Sequence, residues 1–181
     1  MRLPSLLIAL FVALTAATAP ACESITGPSE LQRKIAHEQE VIAAYSAEVA
    51  KVDALQRRFV EAWKAANELK ELKAYRDALE GQVLPALDAY VKAAEAMPTG
   101  SPELAEIHKG LVDAYRGARE SFQGFTSELS EANVESGYKA LLEKMDAVKK
   151  AEAAYLEKLK LYYAKNQVDL VPAPESTPAR P

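Results

Sequence analysis

The chain holds a single thiol, Cys22, and two imidazoles, His37 and His108, so any chemistry it performs rests on few groups. One cysteine cannot form an internal disulfide. One thiol with two histidines cannot assemble a conventional zinc or haem site. Di-iron helical bundles use Glu-x-x-His pairs, because that spacing projects both ligands from one helix face. Neither histidine has a glutamate three residues before it: the positions are Lys34 and Ala105. His37, near Glu38 and Glu40, and His108, near Glu106, are therefore expected at surface or boundary positions. There is no Cys-x-x-Cys-His, no Gly-rich phosphate loop and no Gly-x-Ser-x-Gly elbow. Carboxylates are plentiful, but in Glu68-Leu69-Lys70-Glu71-Leu72-Lys73 they alternate with lysine, the pattern of a solvated face. These residues point to no catalytic site, no metal and no cofactor, and an enzyme is not expected.

Two other constellations stand out. Gly110, Gly117 and Gly124 recur every seventh residue, with Ala114 and Ser121 between them, so a helix here carries a stripe of small side chains. Helix-interior glycine costs roughly 0.8–1 kcal/mol relative to alanine. Close approach of another helix would offset that cost. The expected neighbour is a helix of the same bundle; the alternative is a homodimer or partner-protein interface. Tyr45, Tyr115, Tyr138, Tyr155 and Tyr162 fall at inward positions. Core packing with the hydroxyls reaching the rim is the first expectation, and a ligand cleft between helices is the second.

The elements that position these residues follow from periodicity. Apolar residues recur on steps of three and four from Leu31 through Ile35, Ile42, Tyr45, Val49, Val52, Phe59 and Trp63 to Ala66, with Glu38 and Gln56 filling two slots. The same rhythm runs from Leu69 to Met97, from Leu104 to Leu129 and from Val134 to Tyr162. Ser29 is a plausible N-cap for the first stretch. Pro98-Thr99-Gly100-Ser101-Pro102 is the clearest turn, with Ser101 as cap and Pro102 at the first helical position. A break near Ala132–Asn133 precedes the last stretch. The boundary near Asn67 is weakly marked, since no glycine or proline lies between Ser29 and Glu80. A turn there gives an all-α, elongated antiparallel bundle of four helices. The alternative is one helix to about Glu80, broken at Gly81 and Pro85, in a three-helix spectrin-like layout.

Apolar residues at 49%, charged at 27% and only 7 glycines suit a helical globular domain. A net charge of −4 without a basic block argues against nucleic acid as partner. Residues 166–181 contain four prolines without amphipathic period and are expected to be a disordered tail.

The N-terminus has the architecture of a signal peptide over residues 1–21. Arg2 forms a short positive region, Leu6–Ala17 an apolar run, and Ala19, Pro20 and Ala21 a small-residue site. The run is shorter than the ~20 residues of a membrane span. Cys22 follows directly. Ala19, Ala21 and Cys22 resemble the lipobox of bacterial lipoproteins, a likeness confined to the first 22 residues. The resemblance implies cleavage before Cys22, a diacylglyceryl group on its sulfur and fatty acylation, of the palmitate kind, on the new amine. It also implies that Glu23, where aspartate would favour inner-membrane retention, leans toward the outer membrane. Residues 22–29 then form a tether and 30–165 the bundle. The expected protein is a non-enzymatic, lipid-anchored, periplasm-facing envelope lipoprotein. It would present its helices to a protein partner or act as a spacer. The alternative is a periplasmic small-ligand or chaperone-like binder that uses an inter-helix groove.

Overall fold

A computed structural model describes residues 10–11, 27–169 and 171–172. Cys22, the expected signal peptide other than Leu10–Phe11, and the tail from residue 173 onward lie outside the described residues. The fold is all-α. Four helical rods alternate in direction: α1 (Glu30–Ala66), α2 (Leu72–Ala78, Leu79–Val83 and Leu84–Glu95 in unbroken succession), α3 (Pro102–Glu128) and α4 (Val134–Lys165). Leu10–Phe11 and Val171–Pro172 form a two-residue antiparallel pairing beside them.

Each helix begins and ends for a local reason. Ser29 opens α1 with a reciprocal capping box, its hydroxyl accepting from Gln32 N–H while the Gln32 side chain accepts from Ser29 N–H. Ser101 caps α3 by accepting from Leu104 N–H, with Pro102 in the first turn. Asn133 stitches the turn before α4, its amide oxygen accepting from Ser130 N–H and its amide nitrogen donating to Glu128 O. α4 closes in a Schellman motif: Val168 N–H reaches Tyr163 O, and Gln167 N–H reaches Ala164 O, with Gln167 at φ 59°. That motif folds Val168 back into the core.

The weakly marked boundary is a true turn. The first helix ends with Asn67 as its C-cap and the chain reverses over residues 67–71, so four rods form and the spectrin-like alternative is excluded. Gly81 and Pro85 do not break α2. Leu79–Val83 widens into a π turn in which Leu84 N–H donates to Leu79 O, five residues back. Pro85 supplies no N–H, and its ring would crowd the carbonyl four residues earlier in a regular α-helix. One widened turn absorbs both problems and the helix continues.

The core is one continuous cluster. Ile42, Tyr45, Phe59, Leu79, Leu87, Leu104, Phe122, Leu141, Leu159, Tyr162 and Tyr163 are almost wholly removed from solvent. Most positions expected inward are inward. Leu31 and Leu69 are corrections, 67% and 42% exposed: Leu31 sits in the first turn of α1, and Leu69 in the 67–71 turn. A second correction concerns the tail. Asn166 and Val168 are buried and Gln39 donates to Asn166 O, so the packed chain runs past residue 166.

The four seams differ. α3 packs tightly on α4, and α1 on α2. By contrast, the backbones of α1 and α4 bring almost no Cα atoms within 8 Å of each other. Side chains rather than close backbone packing cross that seam.

Candidate functional site

Gln56, placed on the inner face of α1 by the heptad rhythm, donates to the Tyr115 hydroxyl on α3 at 2.5 Å and to the Glu152 carboxylate on α4 at 2.5 Å. Tyr115 itself donates to the same Glu152 oxygen at 2.5 Å. Tyr90 on α2 meets the Tyr115 ring edge-on, 4.4 Å between centroids. This layer therefore ties all four helices together.

A second polar layer lies nearer the start of α1. His108 is buried, contrary to the expected surface or boundary position, and both of its ring nitrogens are engaged. Nε2 lies 2.8 Å from Ala94 O on α2, and Nδ1 lies 2.7 Å from the Tyr45 hydroxyl on α1. A carbonyl can only accept, so Nε2 carries the proton. Burial lowers the imidazole pKa, which favours the neutral ring, so Nδ1 accepts from Tyr45. The Tyr155 hydroxyl on α4 lies 2.7 Å from that of Tyr45 and donates to it. The proton order is thus Tyr155 to Tyr45 to His108 to Ala94 O, again crossing every helix. Periodicity missed His108 because it reads apolar residues; a buried imidazole satisfied at both ends carries no such mark.

At the end of the α1–α4 seam Tyr162 donates to Glu38 and accepts from Ser101, whose hydroxyl lies 3.1 Å away. Tyr163 pairs with Ser46 at 2.9 Å. Glu38 and Gln56, the two polar residues in apolar slots of α1, are thus the partners of core tyrosines. Burial raises the pKa of Tyr45, Tyr90, Tyr115 and Tyr155 above the ordinary phenol range, so these hydroxyls stay protonated.

Comparison with protein-family models, curated proteins and solved structures finds no match to this chain. Its own geometry must carry the functional reading.

Four of the five tyrosines expected inward line neither groove of the described surface. Tyr45, Tyr115, Tyr155 and Tyr162 spend their hydroxyls on one another and on neighbouring polar groups. Two open grooves lie elsewhere on the described surface. One, of about 350 Å³, runs between α3 and α4 past Ser121, Phe125, Gly137 and Leu141. The other, of about 450 Å³, lies where the 67–71 turn meets the start of α4, lined by Leu69, Leu72, Tyr75, Val134 and Tyr138. Only Tyr138 of the five tyrosines expected inward faces either. Among the described residues no three His, Cys, Asp or Glu side chains gather as metal ligands, and no helix is long and apolar enough to cross a membrane.

The small-residue stripe of α3 corrects an expectation. No neighbouring atom lies within 4 Å of where a Cβ would stand at Gly110 or Gly124. At Gly117 the only close neighbours are the terminal atoms of Lys144, and Ser121 bonds back to Gly117 O of its own helix. Ala114 and Ser121 are half-buried and Gly110 and Gly124 exposed. The close approach of another helix in the bundle is therefore absent at both ends of the stripe. The helical glycine against which a core ring packs is instead Gly137 on α4, facing Phe125. Gly110→Ala and Gly124→Ala are each expected to raise the unfolding free energy by about 0.4–1 kcal/mol, because alanine restricts the unfolded chain and fits the open space. Chemical denaturation measures this; a loss of stability at either position would show that another chain covers the stripe.

Proposed function

We propose that the protein is a non-enzymatic, lipid-anchored lipoprotein of the bacterial envelope, facing the periplasm, whose bundle serves as a rigid spacer or as a presented helical surface. The observation that carries this reading is how the interior is spent. Two polar layers lock four helices in register, and the buried hydroxyls and the imidazole that build them are bonded to protein partners. Such satisfied layers rigidify a core and specify its pairing. None of the side chains that build these two layers lines either of the two grooves.

Length supports the spacer. The 37 residues of α1 span about 55 Å at 1.5 Å per residue. Cys22 lies shortly before Glu30 in sequence, so a lipid on its sulfur would moor one end of the rod. The turns at 67–71 and 129–133 would then form its far tip. Two acyl chains hold a protein stably in a bilayer where one gives only reversible binding. Glu23 after the cysteine favours the outer membrane. The partners are membrane lipid through Cys22 and, for a presented surface, a protein or a second copy; the stripe of α3, open at Gly110 and Gly124, is the face offered to either.

Mass spectrometry of the mature N-terminus and detergent partitioning test the anchor. The expected result is a lipid-modified peptide beginning at Cys22, wild type in the detergent phase and Cys22→Ala in the aqueous phase. A mature chain that begins at an unmodified cysteine, or a wild type that stays in water, overturns the reading.

A further inference from the structure

The α1–α4 seam contains a half-buried carboxylate with one oxygen sealed from solvent. Asp53 stands on α1 between Val49 and Gln56, and its Oδ2 is buried with no hydrogen-bond partner. The charged and titratable groups that act on it come from three of the four helices. Glu152 and Tyr155 face it from α4 and Tyr90 from α2, while Arg57 lies one turn on along α1. Tyr115 on α3 reaches the same layer through Gln56 and Glu152. Of these only Arg57 favours an ionised Asp53; Glu152 opposes it across the seam.

The surrounding geometry leaves that seam to be closed by side chains. α1 and α4 hardly approach at the backbone, and what joins them is a ladder of polar side chains: Glu38–Tyr162, Gln39 to Asn166 O, Ser46–Tyr163, Tyr45–Tyr155 and Gln56–Glu152. Asp53 sits among these rungs without one of its own. A protonated carboxyl has no charge to desolvate. An ionised one brings a buried negative charge beside another.

We propose that Asp53 is a proton-operated latch on the α1–α4 seam, closed when its carboxyl is protonated and loosened when it ionises. Burial is the largest influence on this carboxyl and pushes its pKa up from 3.8 to about 6, with Arg57 pulling down and Glu152 pushing up. The sign follows. The folded protein holds this proton more tightly than the unfolded chain, so the stabilisation is complete below about pH 4 and is lost as pH rises toward 6. His108 works in the opposite sense: its lowered pKa makes the fold lose stability as pH falls below the unfolded value of 6.5. The two effects overlap, and only a variant at position 53 separates them.

The inference holds whether or not the chain carries a lipid. Hydrogen exchange and thermal unfolding of wild type, Asp53→Asn and Asp53→Ser, each at pH 4 and pH 7.5, test it. After correction for intrinsic rates, wild-type amides of α1 around Val49–Phe59 and of α4 around Val148–Leu159 should exchange faster at pH 7.5 than at pH 4. Asp53→Asn should suppress that rise. It should also favour the folded state at pH 7.5 by about tenfold over wild type, roughly one pKa unit's worth after discounting for partial exposure, and by nearly nothing at pH 4. Asp53→Ser should follow the same pH pattern if the asparagine packs poorly. Variants offset from wild type equally at both pH values, or exchange at the seam that ignores pH in the wild type, would overturn the latch.

Discussion

Phe122→Ala should lower the unfolding free energy by about 3–5 kcal/mol, the range for deleting a fully buried aromatic ring. Phe122 is 0% exposed and is the meeting point of an aromatic cluster that joins α1 to α3 across the bundle. Its ring stands edge-on to Phe59 at 5.6 Å and to Trp63 at 5.2 Å, while Phe59 and Trp63 stack at 6.2 Å. Truncation removes the transfer free energy of the ring and both edge contacts. It also leaves a void that helices held in register by two polar layers cannot close. Urea denaturation with an unchanged slope would report the loss. A cost below about 1 kcal/mol would mean that the cluster does not pack as described.

Gly100→Ala should cost about 2–4 kcal/mol, although it adds a single methyl group to an exposed turn. Two penalties combine. Gly100 has φ +59°, a left-handed conformation that costs an L-residue about 1–2 kcal/mol. A Cβ there would stand 2.8 and 2.9 Å from the two methyl groups of Val41. Val41 is buried and β-branched, so it has little rotamer freedom with which to retreat. A double-mutant cycle separates the terms. In a Val41→Ala background the steric part should vanish, and Gly100→Ala should then cost only the backbone part of about 1–2 kcal/mol. Full additivity of the two substitutions would show that the turn does not press on α1.

Much of this architecture was legible in the chain itself. Steps of three and four placed four helices, because a side chain that must be buried has to recur on one face of a 3.6-residue helix. Ser29 and Ser101 marked starts through their hydroxyls, and the Pro98–Pro102 segment marked a stop. These are local effects, settled within a few residues. The turn at 67–71 was harder, having no glycine or proline to announce it.

What the sequence alone determined, then, is the number of helices, their faces and most of the apolar core. Tertiary structure decided which polar groups meet. Glu38, Gln56, His108 and Glu152 look like surface residues or breaks in a pattern until four helices bring them against tyrosines from other rods. It also decided that the small stripe of α3 faces outward at Gly110 and Gly124, and that the Phe125 ring packs on Gly137. Periodicity records which face a residue occupies along its own helix. Hydrogen-bond partners are fixed by neighbours many residues away, such as Gln56 and Glu152, and no local pattern encodes them.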